Sequence, residues 1–108
     1  MNQFRAWAVC LTIAAGTVST LLAAKGDPAK GKQVFERCAV CHNADSDEKK
    51  MGPGLKGLFK HDKLADGKKA TEANIRARIE DGGNGMPPYK EQLDDQEKED
   101  LIAYLKTL

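Results

Sequence analysis

Residues 38–42 read Cys-Ala-Val-Cys-His, and this C-x-x-C-H motif constrains the chain more than any other segment. Two thiols three positions apart on one helical turn can reach the two vinyl groups of a haem and form thioether bonds with it. The imidazole of His42 then lies beneath the iron as its proximal ligand. The motif therefore predicts one covalently attached c-type haem, held by Cys38 and Cys41.

The same residues also permit two other kinds of site. A C-x-x-C pair can act as a redox dithiol, but a thioredoxin-like dithiol is expected in a strand-helix-strand unit, and no segment of this chain alternates convincingly like a strand. A zinc site needs a fourth ligand with its own short spacing, and nothing in the sequence pairs with His61, the other histidine. Haem is thus favoured over both alternatives.

Residues 1–24 have the layout of a secretory signal peptide. Arg5 gives the N-terminal segment one positive charge, and residues 6–24 form an uncharged run that ends in Leu-Leu-Ala-Ala. Small residues at the end of such a run favour cleavage, which we expect after Ala24 or Ala23. The run is long enough to span a bilayer, so an uncleaved membrane anchor is the alternative.

This division leaves residues 25–108 as one domain and predicts a periplasmic location, anchored to the membrane only if the leader persists. Export agrees with the motif, because c-type haem is attached after translocation. Cys10 leaves with the leader, so the only remaining cysteines are those of the motif and no disulfide framework is expected. A chain of this size is small for an unaided core, and a covalently held haem would supply the missing apolar interior.

The charge of the mature chain is balanced overall but unevenly distributed. Loss of Arg5 leaves 16 basic and 16 acidic residues, which argues against binding to nucleic acid or broadly to membranes. Residues 91–100 are mainly acidic. Residues 49–69, which we term the lysine-rich segment, carry seven lysines: Lys49, Lys50, Lys56, Lys60, Lys63, Lys68 and Lys69.

Helix-start and helix-stop signals predict short helices joined by glycine-rich loops. Asp27 followed by Pro28 is an N-cap with proline at the first helical position, and this helix should run to about Cys38. The next helix begins at Thr71 and ends before Gly82.

In the third predicted helix, Asp94 and Glu97 are spaced as in a capping box. The faces expected to be buried carry apolar residues at helical spacing. These are Ile75 and Ile79 in the second helix and Leu101, Tyr104, Leu105 and Leu108 in the third.

With these elements in place, residues 25–108 resemble a small bacterial class I cytochrome c over their whole length. The resemblance lies in the first helix ending in C-x-x-C-H, the Gly-Pro-x-Leu loop at residues 52–55, the glycine-rich loop that holds Met86, and the aromatic residue near the chain end. It implies an all-α fold of three to five short helices wrapped around one covalent haem. It also implies a close crossing of the terminal helices, where Gly31 would let the two backbones approach.

Met86 is the candidate for the sixth iron ligand. It follows His42 by 44 positions, and we expect its flanking Gly and Pro residues to hold an extended loop that brings the thioether to the far haem face. Met51 follows His42 too closely, and His61 lies among charged residues typical of a solvated loop. An open sixth position, suited to ligand binding or peroxide chemistry, is the remaining alternative.

The resemblance also implies the surroundings of the haem. A ligating imidazole needs a hydrogen-bond acceptor for its other nitrogen, and the matching acceptor is the carbonyl of Pro53. Lys98 departs from the family, because an apolar residue is common at its position. The implied apolar pocket consists of Leu55, Leu58 and Phe59 on one side and Ile75, Ile79 and Pro87 on the other.

A haem whose axial positions are both filled, by His42 and Met86, has no open site for a substrate, so the reaction left to it is one-electron transfer. We therefore expect a soluble, monomeric electron carrier, not an enzyme, that meets redox partner proteins only transiently. The lysine-rich segment is a candidate for steering an acidic partner, and a solvated basic face is the alternative. A haem enzyme or gas-binding sensor, with an open or labile sixth position, is the competing function.

Overall fold

The computed structural model describes residues 25–108, so the predicted leader and Cys10 lie outside the described residues. Within that range the backbone forms two isolated β-bridges and no strand, which confirms the all-α prediction. No helix in this part of the chain is long and apolar enough to cross a bilayer. The elements are α1 (Pro28–Phe35), a short 3-10 helix (Leu58–Lys60), α2 (Glu72–Asp81) and α3 (Asp95–Leu105).

Helix α1 begins as predicted and ends three residues earlier than predicted. The Asp27 carboxylate accepts a hydrogen bond from the Ala29 amide at 2.9 Å, and Pro28 occupies the first helical position. The amides of residues 36–38 bond to the third preceding carbonyl, as in the 2.7 Å bond from Cys38 N to Phe35 O. These tighter turns close the α-helix before the C-x-x-C-H motif.

The caps of α2 and α3 lie where the sequence predicts them. Thr71 Oγ1 accepts from the Asn74 amide at 3.2 Å, and Gly82, with φ of 66°, follows the last residue of α2. Asp94 and Glu97 form the reciprocal capping box, with bonds of 2.7 and 3.2 Å. Thr71 and the capping box satisfy backbone amides that the first turn of a helix leaves without partners.

The core lies where α1 crosses α3. A Cβ atom on Gly31 would overlap the carbonyl oxygen of Asp100 and lie 2.8 Å from Cβ of Tyr104, so the two backbones are in direct contact. The Phe35 and Tyr104 rings pack with their centroids 5.3 Å apart. The crossing that the resemblance implies is present. The buried apolar side chains around it are Phe35, Ile75, Ile79, Leu93, Leu101, Ile102 and Leu105.

Helix α2 is joined to α3 by ion pairs on one face. The α2 members are four residues apart, which places them along one side of the helix. Lys98 is only 6% exposed, so it is buried like the apolar residue common at its position, and its ammonium group is paired with a carboxylate of α2. The pairs are Glu72 with Lys106 at 2.8 Å, Arg76 with Glu99, and Glu80 with Lys98 at 3.4 Å.

Candidate haem site

The C-x-x-C-H motif folds as one compact turn. The Cys41 amide donates to the Cys38 carbonyl at 3.1 Å, and the His42 amide donates to the same oxygen at 2.9 Å. Both cysteines are free thiols and both are half-buried. Three side chains that can bond to a single haem therefore start from one turn of backbone.

The two alternative roles of the C-x-x-C pair, as a redox dithiol or as part of a zinc site, depend on thiolate formation. Burial raises the pKa of the Cys38 thiol to about 11, more than the nearby Arg37 charge lowers it. At neutral pH this thiol stays protonated, which makes it a poor redox nucleophile. Among residues 25–108, no group of three or more His, Cys, Asp or Glu side chains is arranged to hold a metal ion.

The imidazole of His42 is held in one orientation. Its Nδ1 atom lies 2.8 Å from the carbonyl oxygen of Pro53. A carbonyl oxygen can only accept, so Nδ1 is the donor, and in the neutral imidazole Nε2 then keeps its lone pair. That is the tautomer that an iron-binding histidine requires, and the acceptor is the one that the resemblance implies.

Gly52 supports the same ring from behind, and the sequence reasoning missed this role. A Cβ atom at this position would lie 2.5 to 3.0 Å from three atoms of the His42 ring. The Gly52 amide also donates to the Cys41 carbonyl at 2.8 Å, which ties the Pro53 loop to the motif. The signal that was available is a glycine directly before the proline whose carbonyl faces the histidine.

The predicted pocket residues divide into three groups by burial. Ile75 and Ile79 belong to the closed core, and Pro87 is exposed. The remaining three are half-buried and pack against the core with part of their apolar surface uncovered: Leu55, Leu58 and Phe59.

Met86 closes a tight turn, and residues 87–89 after it form neither helix nor turn, so the structure adds a turn to the predicted extended loop. The Gly83 amide donates to the Met86 carbonyl at 2.9 Å, and the Met86 amide donates to the Gly83 carbonyl at 3.0 Å. Between them Asn84 and Gly85 have φ of 51° and 88°, the positive values of a two-residue Asn-Gly turn. Met86 is half-buried.

The rival ligands to Met86 lie in other surroundings. Met51 is 82% exposed. Its sulfur lies 4.0 Å from Cys41 Sγ, next to the C-x-x-C-H motif. His61 is exposed, and its Nε2 atom lies 3.1 Å from the carbonyl oxygen of Lys56, a contact that uses this nitrogen as a donor. Both side chains are exposed, whereas Met86 is half-buried.

The residues present fit a c-type haem. Two free thiols and an imidazole with an available Nε2 start from one turn, and half-buried apolar side chains lie in the segment that follows. Thioether bonds need the two thiols, and the iron needs the imidazole. Methionine is one of the residues that such sites use as a second axial ligand.

Comparison with known proteins agrees with this geometry. The sequence profile of the cytochrome c family matches residues 28–108. Cytochrome c2 of Rhodopila globiformis is 34% identical to the chain, over 77% of the chain and 94% of the relative. Cytochrome c6 of a Synechocystis species is 38% identical, over 89% and 78% respectively.

A solved structure is also similar. Cytochrome c6 from the diatom Phaeodactylum tricornutum superimposes with a TM-score of 0.58 at 31% identity. The match covers 76% of this chain and 93% of the diatom protein.

Proposed function

The chain belongs to the cytochrome c family, with the class I fold and one covalent haem c, and from that premise we propose that it is a soluble periplasmic carrier of single electrons. It is an electron carrier rather than an enzyme, as are the cytochromes c2 and c6 that it resembles. A bound haem c supplies the redox centre, whose iron changes between the ferric and ferrous states. The protein residues hold that centre, orient its ligands and keep water away.

The observation that carries this proposal is the hydrogen bond between His42 and Pro53. It fixes the imidazole with Nε2 free, so that Cys38, Cys41 and His42 act together on one haem. The bond also raises the basicity of the ligating nitrogen. We assign the thioether bonds to the two cysteines and the proximal iron bond to His42.

Met86 is assigned to the distal iron position. Its turn is fixed by two backbone hydrogen bonds and by an Asn-Gly pair suited to positive φ. A thioether ligand favours ferrous iron more than a second imidazole does, so the potential should exceed that of a bis-histidine haem. With both faces of the iron bonded to protein, substrates have no place to bind, and electron transfer through the haem edge remains.

The surface beside the motif suits brief contact with a redox partner. Val40 and Met51 are large apolar side chains with 73% and 82% exposure, and Lys50 lies beside them, with its ammonium group 3.2 Å from the Ala39 carbonyl. All seven lysines of the lysine-rich segment are exposed, and none forms an ion pair among the described residues. We propose that this surface steers an acidic partner, because unpaired surface charge chiefly raises the encounter rate.

The periplasmic location rests on the layout of the leader, which lies outside the described residues. Its apolar run and its small residues before Lys25 are typical of a cleaved export signal. Haem attachment in that compartment is consistent with the motif. N-terminal sequencing of the mature holoprotein should begin at Lys25 or Ala24.

A spectroscopic redox titration of purified holoprotein tests the function. We expect a low-spin ferric spectrum with a weak band at its red end from the methionine-iron bond, and one reversible one-electron transition. A high-spin ferric spectrum, together with ready binding of carbon monoxide to the ferrous protein, would show an open sixth position. That result would favour the haem enzyme or gas sensor.

A further inference from the structure

Arg78 lies on α2, four residues before Gly82, and its guanidinium makes two hydrogen bonds. Nη1 donates to the carbonyl oxygen of Gly82 at 3.0 Å, and Nη2 donates to Oδ2 of Asp66 at 2.5 Å. The Arg78 side chain is 28% exposed, so solvent screens this ion pair only in part. One side chain thus connects the end of α2 to the lysine-rich segment.

The carbonyl of Gly82 belongs to the peptide unit whose other end pairs with Met86. The Gly83 amide of that unit donates to the Met86 carbonyl at 2.9 Å. Since a peptide unit is planar, a hydrogen bond that fixes the Gly82 carbonyl also fixes the direction of the Gly83 N–H. Arg78 therefore binds the same peptide unit, Gly82–Gly83, whose N–H closes the Met86 turn.

This peptide unit needs support from outside the turn. Gly82 and Gly83 have φ of 66° and 123°, and glycine passes between many such conformations at low cost. A Cβ atom on Gly83 would lie 2.6 Å from Arg78 Nη1, so the guanidinium packs directly against this backbone. The flexible glycines are thus held by a charged, planar group.

Asp66 in turn holds the arginine. Its Oδ1 atom accepts from the Lys68 amide at 3.0 Å, while Oδ2 faces Arg78. One carboxylate oxygen is therefore fixed by the backbone of its own loop, and the other binds the guanidinium. Hydrogen bonds between charged groups are stronger and more directional than neutral ones.

We propose that Arg78 is a positioning residue for the axial ligand Met86, held in place by Asp66. The guanidinium fixes the Gly82–Gly83 peptide, and the fixed peptide presents the thioether to the iron. This inference rests on the proposed role of Met86 as a ligand.

Cyanide binding to the ferric holoprotein tests the proposal, because cyanide competes with the Met86 thioether for the iron. In Arg78→Gln we expect the affinity for cyanide to rise about tenfold, the equivalent of ~1.4 kcal/mol for one lost charged hydrogen bond. The red methionine band should weaken and the reduction potential should fall. Asp66→Asn should change the cyanide affinity, the band and the potential in the same direction by a smaller amount. Arg78→Lys should lie between the wild type and Arg78→Gln in all three measurements.

Arg76→Gln is the matched control. Arg76 lies on the same helix, is 27% exposed and pairs with Glu99 of α3, away from the turn. Its replacement should lower stability without changing the cyanide affinity. The proposal is overturned if Arg78→Gln binds cyanide as the wild type does, or if Arg76→Gln changes the affinity equally.

The failures of the two proposals are distinguishable. A wild type without the methionine band would overturn the assignment of Met86 and this inference with it. A wild type that shows the band, with Arg78 and Asp66 variants that keep it unchanged, would overturn only the positioning role. If Arg78→Gln does not fold, Asp66→Asn decides the question, since it removes the anchor and leaves the guanidinium in place.

Discussion

Gly31 of α1 lies so close to the carbonyl group of Asp100 of α3 that no side chain fits between them. The same aspartate accepts a hydrogen bond through Oδ1 from the Asp27 amide at 2.8 Å, so its carbonyl and its carboxylate both contact the N-terminal end of the domain. The crossing of the terminal helices is therefore fixed at two points by one residue.

Gly31→Ala should destabilise the holoprotein. The added methyl group has to separate α1 from α3, and overpacking of this kind costs about 1–3 kcal/mol. The expected result is a lower denaturation midpoint in a urea titration followed by circular dichroism. Lys32→Ala, an exposed change on the same helix, is the control, and equal midpoints for the two variants would contradict the close crossing.

Met86→Ala should open the sixth iron position. We expect loss of the red ferric band, a lower reduction potential and binding of carbon monoxide by the ferrous protein, because a thioether no longer occupies the iron. Met51→Ala is the matched control, since Met51 is exposed and lies beside Cys41. The assignment is wrong if Met51→Ala removes the band and Met86→Ala retains it.

Charge reversal at Lys49 and Lys50 should slow oxidation by an anionic reagent. With hexacyanoferrate(III) as oxidant, we expect the rate constant of Lys49→Glu/Lys50→Glu to fall about tenfold at low ionic strength, within the range of electrostatic steering. The double variant Lys30→Glu/Lys32→Glu, which changes the net charge equally, should have the smaller effect. Equal rates for the two variants, or a wild-type rate indifferent to salt, would count against a local docking surface.

The Arg78–Asp66 pair should give a characteristic pH dependence. The hydrogen bond from Arg78 lowers the pKa of Asp66 below its usual value of 3.8. A lowered carboxyl pKa contributes stability above the usual pKa, and the contribution disappears as the pH falls through the lower pKa of the folded state. Wild type and Asp66→Asn should therefore differ in thermal midpoint by a constant amount near neutral pH, and the difference should shrink only below about pH 4. A difference that disappears at pH 6 would contradict this.

The helix ends could be predicted from sequence because their causes are local. Asp94 and Glu97 cap α3 through bonds between residues three apart, and Thr71 does the same for α2. The motif is local as well, since one turn of backbone carries both cysteines and His42. Such patterns need no knowledge of the tertiary fold.

The features that the sequence did not predict depend on distant residues or on turn chemistry. Arg78 meets Asp66 twelve positions earlier, and the buried Lys98 pairs with Glu80 of another helix as well as with Asp95 of its own. The pairings with Asp66 and Glu80 cannot be deduced from spacing along one helix. The tight Met86 turn was readable from Asn84-Gly85, a pair suited to positive φ, but the surrounding glycines and prolines suggested an extended loop.

The hydrogen bond from Asp27 to Asp100 joins residues 73 positions apart, and His42 and Met86 lie 44 positions apart inside that interval. The entropy lost on closing a flexible loop grows with the logarithm of its length, by about 0.6 kcal/mol for each doubling. If iron is bonded to both His42 and Met86, as we propose, most of the interval is closed in advance and the terminal helices meet at a smaller entropic cost. Under the proposed ligation, ligand exchange at the iron and separation of α1 from α3 would be coupled through the conformational freedom of the intervening chain.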